Sequence, residues 1–93
     1  MSSGEKPRAY RALVVEQSPY FSKLMKHWMS DLGFRDVRIC ADTETAMVLL
    51  TGLEFDLIVC DLKSAPLNGY AFVHVLRRMR GTPNRAAIAI CET

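Results

Sequence analysis

Two short apolar runs stop at acids: Ala12–Val15 before Glu16, and Leu57–Cys60 before Asp61. A strand with one wet face alternates apolar and polar residues, so a short run without alternation belongs inside, covered on both sides. A chain of 93 residues has room for one domain only. The runs are therefore expected to be central strands of one sheet, with the acids emerging at its rim.

The segments between them have helical period. Ser18 is an N-cap with Pro19 at the first helical position, and Gly33 is a stop. Phe21, Leu24, Met25, Trp28, Met29 and Leu32 recur between them as one wide apolar face. This stripe around Trp28 is expected to be core. Asp36–Ala41 reads as a strand whose better-buried face carries Val37, Ile39 and Ala41. Asp42 and Thr43 cap a second helix with Ala46, Leu49, Leu50 and Leu53 on one side. Phe72, Val75, Leu76 and Met79 give a third, closed by Gly81 and Pro83, and Ala87–Cys91 begins a fourth strand. The order β-α-β-α-β-α-β with short connections predicts an α/β fold with a doubly wound parallel sheet. Residues 1–9 are polar and expected to form a flexible tail, leaving 10–93 as the domain.

Composition narrows the function classes. The chain is 49% hydrophobic and 24% charged, as a globular domain is. It has no run long enough to span a membrane and no signal-peptide core, so a cytoplasmic location is expected. A net charge of +2 is too small to argue for nucleic acid. Cys40, Cys60 and Cys91 lack metal spacing and read as reduced, buried small hydrophobes. His27 and His74 lie off the apolar faces of their helices and read as exposed.

In an open parallel sheet ligands bind beyond the carboxyl ends of the strands, where the strand order reverses. Glu16 and Gln17 from the first strand and Asp61 from the third are expected to meet there. Converging acids repel, and a divalent cation such as Mg²⁺ relieves them. No GxGxxG or GxxxxGK motif supports a nucleotide cradle. Carboxylate chemistry remains, with aspartate as a nucleophile toward phosphorus.

The segments "ALVVEQSPYFSKLMKHWMSDLGF", "ADTETAMVLL" and "FDLIVCDLKSAPLNGYAFVHVLRRMR" resemble response-regulator receiver domains across residues 10 to 93. The resemblance implies a flavodoxin-like fold, here three βα units and a fourth strand. It implies that Asp61 accepts a phosphoryl group from a histidine kinase or phosphotransfer protein. Glu16, Gln17, Asp61 and the backbone carbonyl of Lys63 would then hold Mg²⁺. Glu92 falls at the family's switch position with Thr93 one beyond, and Lys23 and Lys26 fall where the first helix docks partners. The implied role is that of a signalling acceptor regulating a partner or output domain. It is not an enzyme beyond weak self-catalysed phosphoryl transfer.

The sequence also departs from the family pattern. Gln17 replaces a carboxylate, Glu16 is one methylene longer than the usual Asp, and Thr43 stands where Gly is common. Glu92 is an acid where the family places a hydroxyl, and Pro66 is displaced by one. The fifth strand, its lysine and the fifth helix have no counterpart, so the domain is expected to be incomplete at its C-terminus. The fourth strand then becomes an apolar edge open to a homo-oligomer. These departures keep a second reading in play, a degenerate receiver that binds partners without phosphorylation. A small-molecule enzyme on this sheet has no cradling loop to support it.

Overall fold

The structure, a computed structural model, describes residues 9–79 and 86–92. The expectations for residues 1–8, Gly81, Pro83 and Thr93 lie outside the described residues. The elements are β1 Arg11–Val15, α1 Pro19–Asp31, β2 Asp36–Cys40, α2 Thr43–Gly52, β3 Leu57–Asp61, α3 Gly69–Arg78 and β4 Ala87–Cys91. They form one parallel sheet in the order β2-β1-β3-β4. The unalternated runs are the central strands, where Leu13, Val14, Ile58 and Cys60 are fully buried.

That order fixes which face each helix takes. From β1 the chain steps one way to β2, then returns past β1 to β3 and on to β4. With one crossover handedness, reversing direction moves the helix to the opposite face. Thus α2 and α3 share a face, where Ala46, Leu50, Phe72 and Leu76 pack on Leu13, Val15, Ile58 and Cys60. Among the described residues the other face carries α1, with a buried cluster of Val14, Met25 and Val59.

Local signals set the helix ends as expected. Ser18 accepts the Phe21 amide hydrogen at the start of α1, and Gly33 follows the helix with φ 103°, a conformation that favours glycine. Asp42 accepts the Thr45 amide hydrogen on α2, and Asn68 the Ala71 amide hydrogen on α3. α3 ends sooner than expected, because Met79 is already extended. At the far rim Arg11 ties three segments together. Its amide donates to Asp56 at 2.8 Å, its Nε to Asp36 at 2.7 Å, and a guanidinium nitrogen to the Glu54 carbonyl at 3.1 Å.

Two burial expectations are corrected. Of the Trp28 stripe only Met25 is buried; Leu24 and Met29 are half-buried, and Phe21, Trp28 and Leu32 are exposed. The apolar arc of α1 is wider than the strip of sheet one helix covers, so its flank faces solvent. On β2 the buried residue is Cys40, while Ile39 and Ala41 are exposed and Val37 half-buried. As an edge strand, β2 is only partly covered by α1, and Cys40 turns to the better-filled face. Cys91 is half-buried, unlike Cys40 and Cys60, because it packs on the smaller cluster of the α1 face rather than on the better-filled face.

Candidate functional site

Strand parity brings the two acids together. Val14 and Glu16 alternate onto the face that carries α1, as do Leu57, Val59 and Asp61. Glu16 extends β1 by one residue, its amide donating to the Cys40 carbonyl at 2.9 Å. Both carboxylates are withdrawn from water, with Glu16 3% and Asp61 6% exposed. At this burial Glu16 is not a solvated charge at a strand end.

An open cleft of about 370 Å³ lies over them, lined by Glu16, Gln17, Ser18, Phe21, Asp61 and Lys63. The cleft brings together Glu16, Gln17, Asp61 and Lys63, the residues expected at this rim. Ser18 and Phe21 were legible only as a helix cap and as core. They reach the cleft because α1 begins directly above the rim. The Ser18 amide donates to Glu16 Oε2 at 3.0 Å, and the Lys63 amide donates to Asp61 Oδ1 at 3.1 Å. Glu16 Oε1 is buried with no hydrogen-bond partner. A buried carboxylate oxygen left in this state is costly, and it marks a place where a cation or a donor belongs.

The donor set fits a hard divalent cation in part. Glu16 and Asp61 offer carboxylate oxygens, and Gln17 and the Lys63 backbone offer neutral ones. Among the described residues there is no group of three or more His, Cys, Asp or Glu side chains that could hold a metal ion. Among the described residues the cleft therefore offers two charged donors, Glu16 and Asp61.

The loop after Asp61 is tied down on three sides. The Leu62 amide donates to the Cys91 carbonyl at 2.7 Å, and the Gly69 amide to the Leu62 carbonyl at 3.0 Å. The Thr43 amide donates to the Ala65 carbonyl at 2.9 Å, and the Thr43 hydroxyl accepts the Leu67 amide hydrogen at 3.1 Å. Ser64 Oγ lies 3.4 Å from Cys60 Sγ, and the Ala65–Pro66 bond is cis. Thr43, nearly fully buried, was read from sequence as a cap, but Asp42 is the cap and Thr43 is a loop anchor. Its standing where Gly is common was the available signal. Gly69 sits close to backbone: a Cβ there would lie 3.0 Å from Leu62 Cα and 3.1 Å from the Asp61 carbonyl oxygen.

The remaining expected residues sit at the margins. Asp61 pairs in register with Cys91, so Glu92 follows at the same rim, exposed and outside the residues that line the cleft. Lys23 and Lys26 are exposed on α1, and His27 and His74 are exposed as expected. Burial pushes the Cys91 thiol up, and the nearby Asp61 and Glu16 add to it.

A doubly wound sheet with buried acids at the ends of its two central strands has the fold of response-regulator receiver domains. The chemotaxis response regulator CheY4 of Vibrio cholerae superposes with a TM-score of 0.80 at 24% identity, over 89% of this chain and 68% of that one. The receiver domain of a Pseudomonas aeruginosa sensor histidine kinase, described with a magnesium ion coordinated in its active site cleft, gives 0.78 at 24%, over 89% and 66%. In sequence, the Regulator of RpoS of Escherichia coli is 36% identical over 72 residues. The match spans 76% of this chain but only about a fifth (21%) of the curated relative. No protein-family profile matches the chain.

Proposed function

We propose that the chain is a phosphoacceptor receiver domain of a two-component phosphorelay. Asp61 takes a phosphoryl group and the change regulates a partner or output domain. The observation that carries this reading is the pairing, in one cleft, of Asp61 held by the Lys63 amide with a Glu16 whose Oε1 is buried and unpartnered. An Asp61 carboxylate oxygen bonds to phosphorus as the donor's phosphorus–nitrogen bond breaks, and the donor imidazole leaves. Glu16, Asp61, the Gln17 amide and the Lys63 carbonyl would hold Mg²⁺. When bound, it supplies charge neutralisation for the transferring group. The chain's own part is to orient Asp61 through the Lys63 amide and the anchored loop. With one charge fewer in the donor set, Mg²⁺ affinity is weak.

The donor is a histidine kinase or phosphotransfer protein, and Lys23 and Lys26, exposed on α1, are candidate contacts for it. We place the protein in the cytoplasm, with no contact to nucleic acid or membrane by this domain. Among the described residues no helix is long and apolar enough to cross a membrane. The β4 edge, with Ala87, Ala89 and Ile90 exposed, is a candidate site of homo-oligomer formation.

A second reading, phosphorylation-independent binding by a degenerate receiver, is favoured by neutral Gln17 and by Glu92 beside the acceptor strand. The two separate on incubation with Mg²⁺ and a small phosphodonor or a cognate kinase. The first reading expects an acid-stable, base-labile adduct that disappears in Asp61→Ala. A folded protein that takes no adduct from any donor is a binding module.

A further inference from the structure

One residue lining the cleft is chemically unlike the rest. Glu16, Gln17, Ser18, Asp61 and Lys63 carry charge or hydrogen-bonding groups, whereas Phe21 carries an apolar ring. Such a ring supplies no ligand to a hard cation and no hydrogen bond to a phosphoryl oxygen. Phe21 also differs in depth from the acceptor: it is 37% exposed and Asp61 6%. It therefore stands at the mouth of the cleft, with the carboxylate on the floor. Two contacts limit where it can swing. Its amide donates to Ser18 Oγ at 3.4 Å in the first turn of α1, and its ring meets the Tyr20 ring edge to face, with centroids 5.3 Å apart.

We propose that Phe21 is a specificity residue of this cleft, pairing with the aromatic leaving group of a phosphoimidazole-type donor and favouring it over acyl phosphates. The inference rests on Asp61 being the acceptor. In phosphoryl transfer the attacking and departing atoms lie in line on opposite sides of phosphorus. A donor bound over Asp61 thus directs its leaving group away from the floor, toward the mouth where Phe21 stands. An Asp61 carboxylate oxygen bonds to phosphorus as the phosphorus–nitrogen bond breaks, and its electron pair stays on the imidazole nitrogen. The ring, protonated on its other nitrogen in the donor, departs neutral. Held against the Phe21 ring, edge to face or offset, it is steadied through that step. The acetate that leaves acetyl phosphate has no ring to pair.

Initial rates of adduct formation on the whole chain, from phosphoimidazole and from acetyl phosphate with Mg²⁺ present, test it by mass spectrometry. The quantity read is the ratio of the two rates. Phe21→Leu is expected to lower that ratio about fivefold, the worth of one aromatic pair. Phe21→Tyr, which keeps the ring, is expected to hold it near the wild-type value. Because both donors meet the same preparation, a partly unfolded variant lowers both rates and leaves the ratio alone. Phe21→Met gives the same reading should Phe21→Leu fail to fold. An unchanged ratio in Leu and Met overturns the role of the ring and leaves Asp61 as acceptor. A ratio that falls as far in Tyr as in Leu overturns it too. A folded wild type that takes no adduct from either donor overturns this proposal together with the phosphoacceptor function.

Discussion

The hydroxyl of Thr43, on the first residue of α2, accepts the amide hydrogen of Leu67 in the loop that follows Asp61. Through this bond a helix on one side of the sheet holds the loop beside the acceptor. Replacing Thr43 with Val keeps the shape and leaves the Leu67 amide without its partner. The expected cost is about 1–3 kcal/mol in urea unfolding, with Thr43→Ser close to wild type. Amide exchange at Leu67 and Lys63 should quicken in Val and not in Ser. Equal exchange in both variants would remove the anchor role.

Gly69→Ala tests the tightness of the same loop. A Cβ would press on Leu62 Cα and the Asp61 carbonyl oxygen, and lies 3.2 Å from Ile90 Cγ2. Alanine ordinarily favours a helix over glycine by about 1 kcal/mol. Here the contacts are mostly backbone, which cannot swing aside. The net expectation is a loss of about 1–3 kcal/mol, together with slower phosphoryl transfer to Asp61. A stability gain would show that the loop yields.

Glu16→Gln removes the charge from a buried group that is half unpartnered. In EDTA the variant should unfold at the same urea concentration as wild type or a higher one. With millimolar Mg²⁺, the wild type should gain stability and the variant should not. Equal Mg²⁺ stabilisation in both would take Glu16 out of the donor set.

At the opposite rim, hydrogen bonds from Arg38 and then Arg11 hold the Asp36 carboxyl below its usual range. Its folded pKa is the lower one, so between the two values the unfolded chain binds the extra proton. Its contribution is present above the unfolded value of about 3.9 and is lost as pH falls through the folded one. Asp36→Asn should therefore flatten the stability profile below about pH 4 and leave the slope near neutrality unchanged. Urea midpoints at a series of pH values measure this. The difference should shrink in high salt, since the group is near the surface.

The thiols should be slow toward alkylating agents. Burial, and after it the charge of Asp42, pushes Cys40 up to about 11. Burial also raises Cys60 and Cys91. At pH 8 iodoacetamide should modify the half-buried Cys91 first and leave Cys40 and Cys60 untouched while the protein is folded. Mass spectrometry of digested samples reads the order directly.

The central strands were legible because Ala12–Val15 and Leu57–Cys60 have no polar residue to turn outward. The ends of α1 were legible because Ser18-Pro19 and Gly33 act through local backbone chemistry. Placing Glu16 and Asp61 at one rim needed only the strand order. How much of α1 the sheet would cover was not legible, since the periodicity of Phe21, Trp28 and Leu32 marks an apolar arc without saying what lies opposite. Ile39 misled for the same reason: alternation marks two faces but not which one is filled. The role of Thr43 depends on a loop 24 residues away in sequence, a distance that local patterns do not carry.

The unequal filling of the two sheet faces has a consequence for motion. Among the described residues α1 is held by a three-residue buried cluster, whereas α2 and α3 share a cluster of eleven. Amides of α1 should therefore exchange through an opening that costs much less than global unfolding, while β1 and β3 stay protected. Because Ser18 and Phe21 belong to that helix, each such opening also bares Glu16 and Asp61 to water. The lifetime of the cleft is then set by the least anchored layer of the fold.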